Sequence, residues 1–310
     1  IDQDRMMVVW PSYDEDGNNY GIIGKVYDLT LNSMSDSFQI NQTISGAQTF
    51  PYIERLDDNS VIIGWNDQGG ADGNGYGVFA QILRFEAVEK ETRIDNNQTH
   101  YKTLPFDISN DTYEIGVTSN GTLYIGQFGV VKSKSGVLGK LTGSHGRVTI
   151  NTGVWELSDN LVVGDKGSGE MKIGMESRLT APSLIIGKQG PGLVEVKEQG
   201  AVNSDTLIIG DENNGQVTIS GDATLINGSV TLAKGTGSTG GLVITGNATW
   251  TVSENVRVGG RGNGSVIQKS DVKIEGSLQL AQYSGSTGAY KLEGGTLDVP
   301  TISVGAGDAQ

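Results

Sequence analysis

Residues 184–210 read LIIGKQGPGLVEVKEQGAVNSDTLIIG, and the phrase that opens the stretch, Leu184-Ile185-Ile186-Gly187, returns 23 residues later as Leu207-Ile208-Ile209-Gly210. Shorter copies precede it at Val137-Leu138-Gly139 and Val162-Val163-Gly164. Others follow at Thr231-Leu232-Ala233, Arg257-Val258-Gly259, Gln279-Leu280-Ala281 and Ser303-Val304-Gly305. Self-similarity at a period of 22 to 26 residues marks a solenoid, in which each repeat buries its apolar face only against its neighbours. The architecture follows from this period, but the function does not, because a solenoid is a scaffold for whatever its surface carries.

Within each repeat the apolar residues alternate with a period of two, which is strand periodicity. Leu184 and Ile186, or Leu207 and Ile209, are expected to point inward. A second strand follows a glycine-rich turn, as in Val194-Glu195-Val196 and Val217-Thr218-Ile219, with a polar middle residue facing water. A shorter third strand supplies Trp155 and Leu157, Leu179 and Ala181, or Ala248 and Trp250. Three strands per coil of about 23 residues predict an all-β parallel β-helix over 138–310, of roughly seven to eight coils about 4.8 Å apart. The glycine pairs around Gly167-Ser168-Gly169, Gly190-Pro191-Gly192, Gly235-Thr236-Gly237, Gly262-Asn263-Gly264 and Gly285-Ser286-Thr287-Gly288 are expected at corners that need positive φ. A calcium-binding nonapeptide roll fits worse. Its nearest match, Gly259-Gly260-Arg261-Gly262-Asn263-Gly264, lacks the aspartate and does not recur.

The stretches Leu161-Val162-Val163-Gly164-Asp165, Gly235 to Gly240 followed by Val243-Ile244-Thr245-Gly246, and Gly285 to Gly288 followed by Leu292-Glu293-Gly294-Gly295-Thr296-Leu297 resemble autotransporter passenger domains of bacterial surface proteins. The resemblance covers about 138–310. It implies a right-handed β-helix, secretion, and a role as adhesin or stalk. The membrane barrel that ends such proteins is not in this sequence.

The first 117 residues carry a longer repeat. Val8-Val9-Trp10, Asp16-Gly17 and Tyr20-Gly21-Ile22 are echoed 55 residues on by Ile62-Ile63-Gly64-Trp65, Asp72-Gly73 and Tyr76-Gly77-Val78. Phe38, Ile40, Asn41 and Pro51 find weaker echoes at Ile94, Asn96 and Pro105. Each unit reads as about four antiparallel strands with Asp-Gly hairpin turns. This is similar to blade-like repeats of large secreted bacterial proteins. Two copies cannot close a propeller. An antiparallel blade-like or sandwich module over 1–117, a junction over 118–137 and the helix over 138–310 are therefore expected; either further blades have been removed, or the module is a small sandwich that caps the open strand edge.

The net charge of −14 falls unevenly, −12 on 1–117 and −2 on the rest. An acidic chain without a basic stripe argues against nucleic acid and anionic membranes as partners. No run of 18 apolar residues exists to span a bilayer. No charged-then-apolar leader opens the chain, so a mature or excised piece of something longer is expected. Without cysteine there is no thiol nucleophile. The two histidines, His100 and His145, are far apart and read as exposed turn residues rather than a metal pair.

Candidate chemistry is sparse. Some parallel β-helices cut polysaccharides with two or three carboxylates on one face, and glycoside hydrolysis needs paired acids. Here Lys172, Glu195 and Lys291 alternate with Thr149, Thr218 and Val243, a mixed solvated face, while Asp165, Asp211 and Glu212 share a corner two coils apart. Asp14, Asp16 and Asn18 offer oxygens at alternate positions and are candidate calcium ligands, loosely repeated at Asp67, Asp72 and Asn74. No other cofactor is expected. Seven glycosylation sequons start at Asn41, Asn97, Asn110, Asn120, Asn227, Asn247 and Asn263.

One column of outward positions stands out. The residues Val137, Val162, Ile185 and Ile208 are apolar, whereas Thr231, Arg257, Gln279 and Ser303 at the same place in later coils are not. An exposed β-branched column is expected to be an interface, covered by the N-terminal module or a neighbouring subunit. The reading is thus a non-enzymatic extracellular or cell-surface protein, part of an adhesin, stalk or fibre. Its partners are other chains of that structure, the rest of a longer chain, or surface glycans. The rivals are a carbohydrate-binding or carbohydrate-cleaving helix of the tailspike kind, and a self-assembling filament subunit. Stacked aromatics would favour the former, but Trp155, Trp250, Tyr283 and Tyr290 are scattered.

Overall fold

The computed structural model describes residues 5–14, 19–28, 31, 33, 35–57, 60–70, 75–84, 92–102, 106–126 and 129–309. The chain is all-β and divides after Glu89 into two compact units.

In the first unit, β1 (Arg5–Tyr13) pairs antiparallel with β2 (Tyr20–Asp28), which pairs with the short β3 (Phe38–Gln39). A second three-stranded sheet follows: β4 (Gln48–Asp57), β5 (Ser60–Asp67) and β6 (Gly77–Arg84). The 55-residue repeat is visible in register. Trp10 lies opposite Ile23 across one hairpin, and Trp65 lies opposite Phe79 across the other. Ile22 and Ile40 share one small core with Val61, Ile63 and Trp65 of the second sheet. A buried polar chain also links the sheets. Asn41 Oδ1 accepts from the Ile22 amide at 2.7 Å, Asn41 Nδ2 donates to Gln48 Oε1 at 3.0 Å, and Gln48 Nε2 donates to Asp67 Oδ2 at 3.0 Å. Counted from β1 to the matching β5, the first repeat holds four described strands, β1 to β4, as expected, and β4 pairs forward into the sheet of the second repeat. The echoes at Ile94 and Asn96 belong to the other unit, and Pro105 lies outside the described residues.

The second unit is a parallel β-solenoid of about nine coils. It begins well ahead of residue 138. β7 (Arg93–Ile94) and β8 (Gln98–Lys102) already pair in parallel with β9 (Phe106–Ile115) and with the strand Asn120–Ile125. The expected junction over 118–137 is regular solenoid, because Asn120–Ile125 and Val130–Leu138 are full members of the ladders. The missed phrase is Tyr113-Glu114-Ile115-Gly116, 23 residues before Gly139.

Each coil runs through three strand segments, as expected from the alternation. One set forms a ten-stranded sheet that includes His145–Asn151, Ser168–Gly174, Gly192–Val196 and Asn214–Ile219. The other two share a second sheet, since strands such as Ala201–Ile209 and Thr224–Leu232 run through a corner without a break. Inward side chains stack like on like: Leu161, Leu184, Leu207, Val230, Val256 and Leu278 form one dry column.

Two kinds of glycine shape the coil. Gly139, Gly164, Gly187, Gly210 and Gly259 adopt φ of 67° to 82°, the left-handed region. A Cβ on Gly187 would lie 2.4 Å from the Asn214 carbonyl of the next coil, so the coils approach too closely for a side chain. Ala233 and Ala281 hold the same left-handed corner at φ of 54° and 47°. The glycines that open the next strand have another cause than the one expected. Gly237 and Gly285 do have positive φ, but Gly169, Gly192, Gly264 and Gly288 do not. Their constraint is space: a Cβ on Gly192 would lie 2.5 Å from the Gly187 amide nitrogen and 2.3 Å from the Val163 carbonyl.

Several polar side chains of the solenoid core are hydrogen-bonded from coil to coil. Trp250 Nε1 donates to Asn227 Oδ1 at 3.0 Å, and Asn227 Nδ2 donates to Ser204 Oγ at 2.8 Å, a ladder across three coils. In the ten-stranded sheet Gln268 takes the place held by Ile219 and Ile244 in the preceding coils; its Nε2 donates to the Ser270 and Thr296 carbonyls, and the Tyr290 hydroxyl donates to its Oε1. Two sequon asparagines, Asn41 and Asn227, are therefore buried structural groups, 3% and 2% exposed.

At the first corner Asp95 stands where later coils carry glycine. Its carboxylate accepts from the amides of Val117, Thr118 and Ser119, from the Thr118 hydroxyl, and from Arg93. Burial opposes its charge, but the hydrogen bonds from Thr118, Arg93 and the two backbone amides prevail and hold it well below the usual carboxylate range. A depressed folded-state pKa stabilises above the unfolded value of about 3.9 and is lost as pH falls below it. Amide protection at Val117–Ser119 should therefore fade below about pH 4 before that of Leu207–Ile209. In Asp95→Ala it should be lost at neutral pH as well. Equal protection in both segments at low pH would show that Asp95 does not anchor this corner. A core counterpart is Asn227→Ala, which strands the Trp250 N–H and should cost about 1–3 kcal/mol in urea unfolding; the exposed Asn263→Ala should change little.

Candidate functional site

The apolar column lines up as expected. Val137, Val162, Ile185 and Ile208 are in register on adjacent coils, preceded by Glu114 and followed by Thr231, Arg257, Gln279 and Ser303. Its exposure is lower than the sequence reading supposes. Val162 is 4% and Ile208 9% exposed, with Val137 and Ile185 half-buried. Stacked at strand spacing, each β-branched side chain is flanked by those above and below it, so the column shields itself.

Beside it, one residue past each repeat glycine, runs a column of alternating charge: Lys140, Asp165, Lys188, Asp211 and Lys234. Lys188 Nζ lies 2.9 Å from Asp165 Oδ1 and Lys234 Nζ 3.0 Å from Asp211 Oδ1, while Lys140 meets Glu114. Glu212 accepts from Gln189. The two aspartates of this corner are thus divided by a lysine rather than paired as acid and base.

The sheet on the other side is also ion-paired. Glu170 Oε2 lies 2.9 Å from Arg147 and Oε1 3.0 Å from Lys172, which bridges onward to Glu195. Burial alone would raise the Glu170 pKa, but the bonds from Lys172 and Arg147 lower it overall. The histidines are not turn residues. Both sit half-buried on strands, and the His145 Nδ1 lies 2.7 Å from Ser168 Oγ. Burial, reinforced by the Arg147 charge against a smaller opposing effect of Glu170, pushes the His145 imidazole below its ordinary pKa.

Of the calcium candidates, Asp16 and Asn18 lie outside the described residues, as do Asp72 and Asn74. Asp14 sits at φ 63°, its amide bonded to the Asn19 carbonyl at 2.5 Å. Asp67 is 2% exposed, and both its oxygens are taken by Gln48 and the Gly69 amide. Among the described residues no three His, Asp or Glu side chains converge on a point where a metal ion would sit. Trp155 and Trp250 are fully buried, which removes them as ligand-stacking rings.

Where the charge column ends, a groove opens. Gly260 stands at the position that holds a charged residue in each of the five preceding coils, so a side chain is missing there. The resulting hollow of about 630 Å³ is lined by Asp211, Lys234, Arg257, Arg261 and Tyr283 around Gly260. Asp211 is held by Lys234, whereas Arg257 and Arg261 have no carboxylate partner among the described residues. The Arg261 guanidinium lies 5.1 Å from the Tyr283 ring, which is 46% exposed. Arg257 was visible in the sequence as the first charged member of the apolar column, and Tyr283 as a scattered aromatic. Their meeting, with Arg261, was not; aligning the residue after each repeat glycine would have shown the missing side chain at Gly260.

No family of known proteins matches this chain, and neither does any curated protein or solved structure.

Because the column is part of the coil's own packing, Ile208→Lys should lower the unfolding free energy of the solenoid by about 1–3 kcal/mol. A column that instead serves as an interface would yield a fully stable variant whose assembly dissociates; sedimentation together with urea unfolding separates the two.

Proposed function

We propose that this chain is a non-enzymatic extracellular structural protein, a stiff module within a bacterial surface adhesin, stalk or fibre of the autotransporter-passenger kind. The observation that carries the reading is the continuous core of the solenoid, one hydrophobic cluster that runs from Ile94 to Leu280. Such a core gives stiffness along the stacking axis, because bending it opens ladders and core together. The outer surface supports the same reading. The carboxylates of Asp165, Glu170 and Asp211 are tied up with lysine or arginine of the same or an adjacent coil. Ion pairs of this kind contribute little stability each, but they hold these three acids against cations rather than free for proton transfer. Partners are other chains of the same structure or further segments of a longer one, at the cell surface or outside the cell.

Negative-stain microscopy of native material should show the solenoid as a narrow rod, about 40 Å long for nine coils at 4.8 Å each, within longer surface appendages. Reducing-end assays on acidic and neutral polysaccharides should stay at background. Turnover that disappears in Glu170→Gln or Asp211→Asn would overturn the non-enzymatic reading, and a cytosolic location of the native protein would overturn the rest.

A further inference from the structure

We propose that the groove around Gly260 binds a linear acidic polysaccharide, with Arg257 and Arg261 gripping its carboxylate or sulfate groups. The inference goes beyond the structural role and does not depend on it, since a rod remains a rod with the groove empty.

Charge sets this groove apart from the surface around it. The chain is strongly acidic, with net charge −14, yet this hollow gathers Lys234, Arg257 and Arg261 against one carboxylate, and Lys234 neutralises that one. Two guanidinium groups are left without an anion. Elsewhere on the solenoid, cations such as Arg147, Lys172, Lys188 and Lys269 stand opposite acids of the same or a neighbouring coil. Guanidinium presents a planar fork that fits carboxylate and sulfate, so unpaired arginines in a recess are groups suited to an anion.

Shape sets it apart as well. Gly260 interrupts the column of corner side chains, and the strand residue beside it has changed from isoleucine to threonine and arginine. Coils repeat along the groove at about 4.8 Å, close to the length of one extended pyranose unit. A polysaccharide lying along the axis would therefore present successive sugars to successive coils. The rest of the lining suits sugars: Thr231, Thr236 and Gln282 supply hydroxyl and amide partners, and the exposed Tyr283 ring supplies an apolar surface for a sugar face. An acidic peptide offers charge without that repeat of hydroxyls, so the polysaccharide is the better fit.

The test is isothermal titration of the whole chain with oligogalacturonate for carboxylate, dextran sulfate for sulfate, and neutral dextran and poly-glutamate as comparisons. One or both acidic polysaccharides should bind, more weakly as salt rises, and which of them binds identifies the anion. Neutral dextran should not bind. Arg257→Gln and Arg261→Ala should each weaken binding about tenfold. Gly260→Asp should abolish it by returning a carboxylate to the corner beside both arginines. Removing the same charge elsewhere, by Arg147→Ala with Lys172→Ala, should leave it unchanged. Thermal unfolding checks that each variant is folded, and the two arginine variants keep the test open should Gly260→Asp fail to fold. The proposal is overturned by no binding to either acidic polysaccharide, by an equal loss in the Arg147/Lys172 variant, or by poly-glutamate binding as tightly.

Discussion

Everything in the solenoid depends on how closely one coil can lie on the next. Strand pairing sets that distance at about 4.8 Å, and each backbone turn must complete itself in the same height. The corner after each repeat phrase is where this is hardest. There the chain turns in the left-handed region with the carbonyl of the following coil only 2.0 to 2.4 Å from where a Cβ would stand on Gly139, Gly164, Gly187, Gly210 or Gly259. The corner therefore selects glycine for two reasons at once, conformation and space. A second glycine, at Gly169, Gly192, Gly215 or Gly264, then starts the next strand against the corner just made. The abundance of glycine reflects this double constraint once per coil.

The same constraint decided what was legible in the sequence. The period, the three strand segments and the inward columns could be read because each coil repeats its solution, with apolar and polar residues alternating as in Val194-Glu195-Val196 and Val217-Thr218-Ile219. The first two coils depart from the phrase in different ways: the second keeps its corner glycine at Gly116 but carries Glu114 where later coils carry Val137 and Val162, and the first loses the glycine itself. Asp95 replaces the glycine and solves the corner by side-chain hydrogen bonds, and the strand of Gln98–Lys102 places His100 where later coils have Leu123 or Val148. Coils near an end lack a neighbour on one side, so their sequence departs from the repeat where a repeat search depends on it. The shared polar chain through Asn41, Gln48 and Asp67 was hidden for a different reason, since three residues spread over two hairpins have no periodicity to betray them.

Reading exposure from periodicity was less successful than reading direction. Val162 and Ile208 do alternate outward, yet they are nearly as inaccessible as core residues. A single strand in solution would expose them fully; stacking leaves only the outer edge of each. Outward and exposed are different properties in a solenoid, because neighbours along the axis contribute shielding that one coil's sequence does not contain. A run of identical outward residues is then partly a packing device, and an interface must be inferred from accessible area rather than from hydrophobicity in sequence.

That distinction also bears on why the proposed ligand site is placed at the groove. In the regular coils these corner columns are answered by the neighbouring coil: aliphatic by aliphatic at Val162 and Ile185, lysine by aspartate at Asp165 and Lys188. Each answer consumes the binding capacity of the groups involved. Regularity fails where Thr231 gives way to Arg257 and Lys234 to Gly260. The first change introduces a charge with no counterpart in the coil on either side, where Thr231 and Gln279 flank it. The second removes the side chain that would have supplied one. A repeat protein satisfies its own surface by repetition, so its capacity for a ligand is concentrated where the repetition is broken.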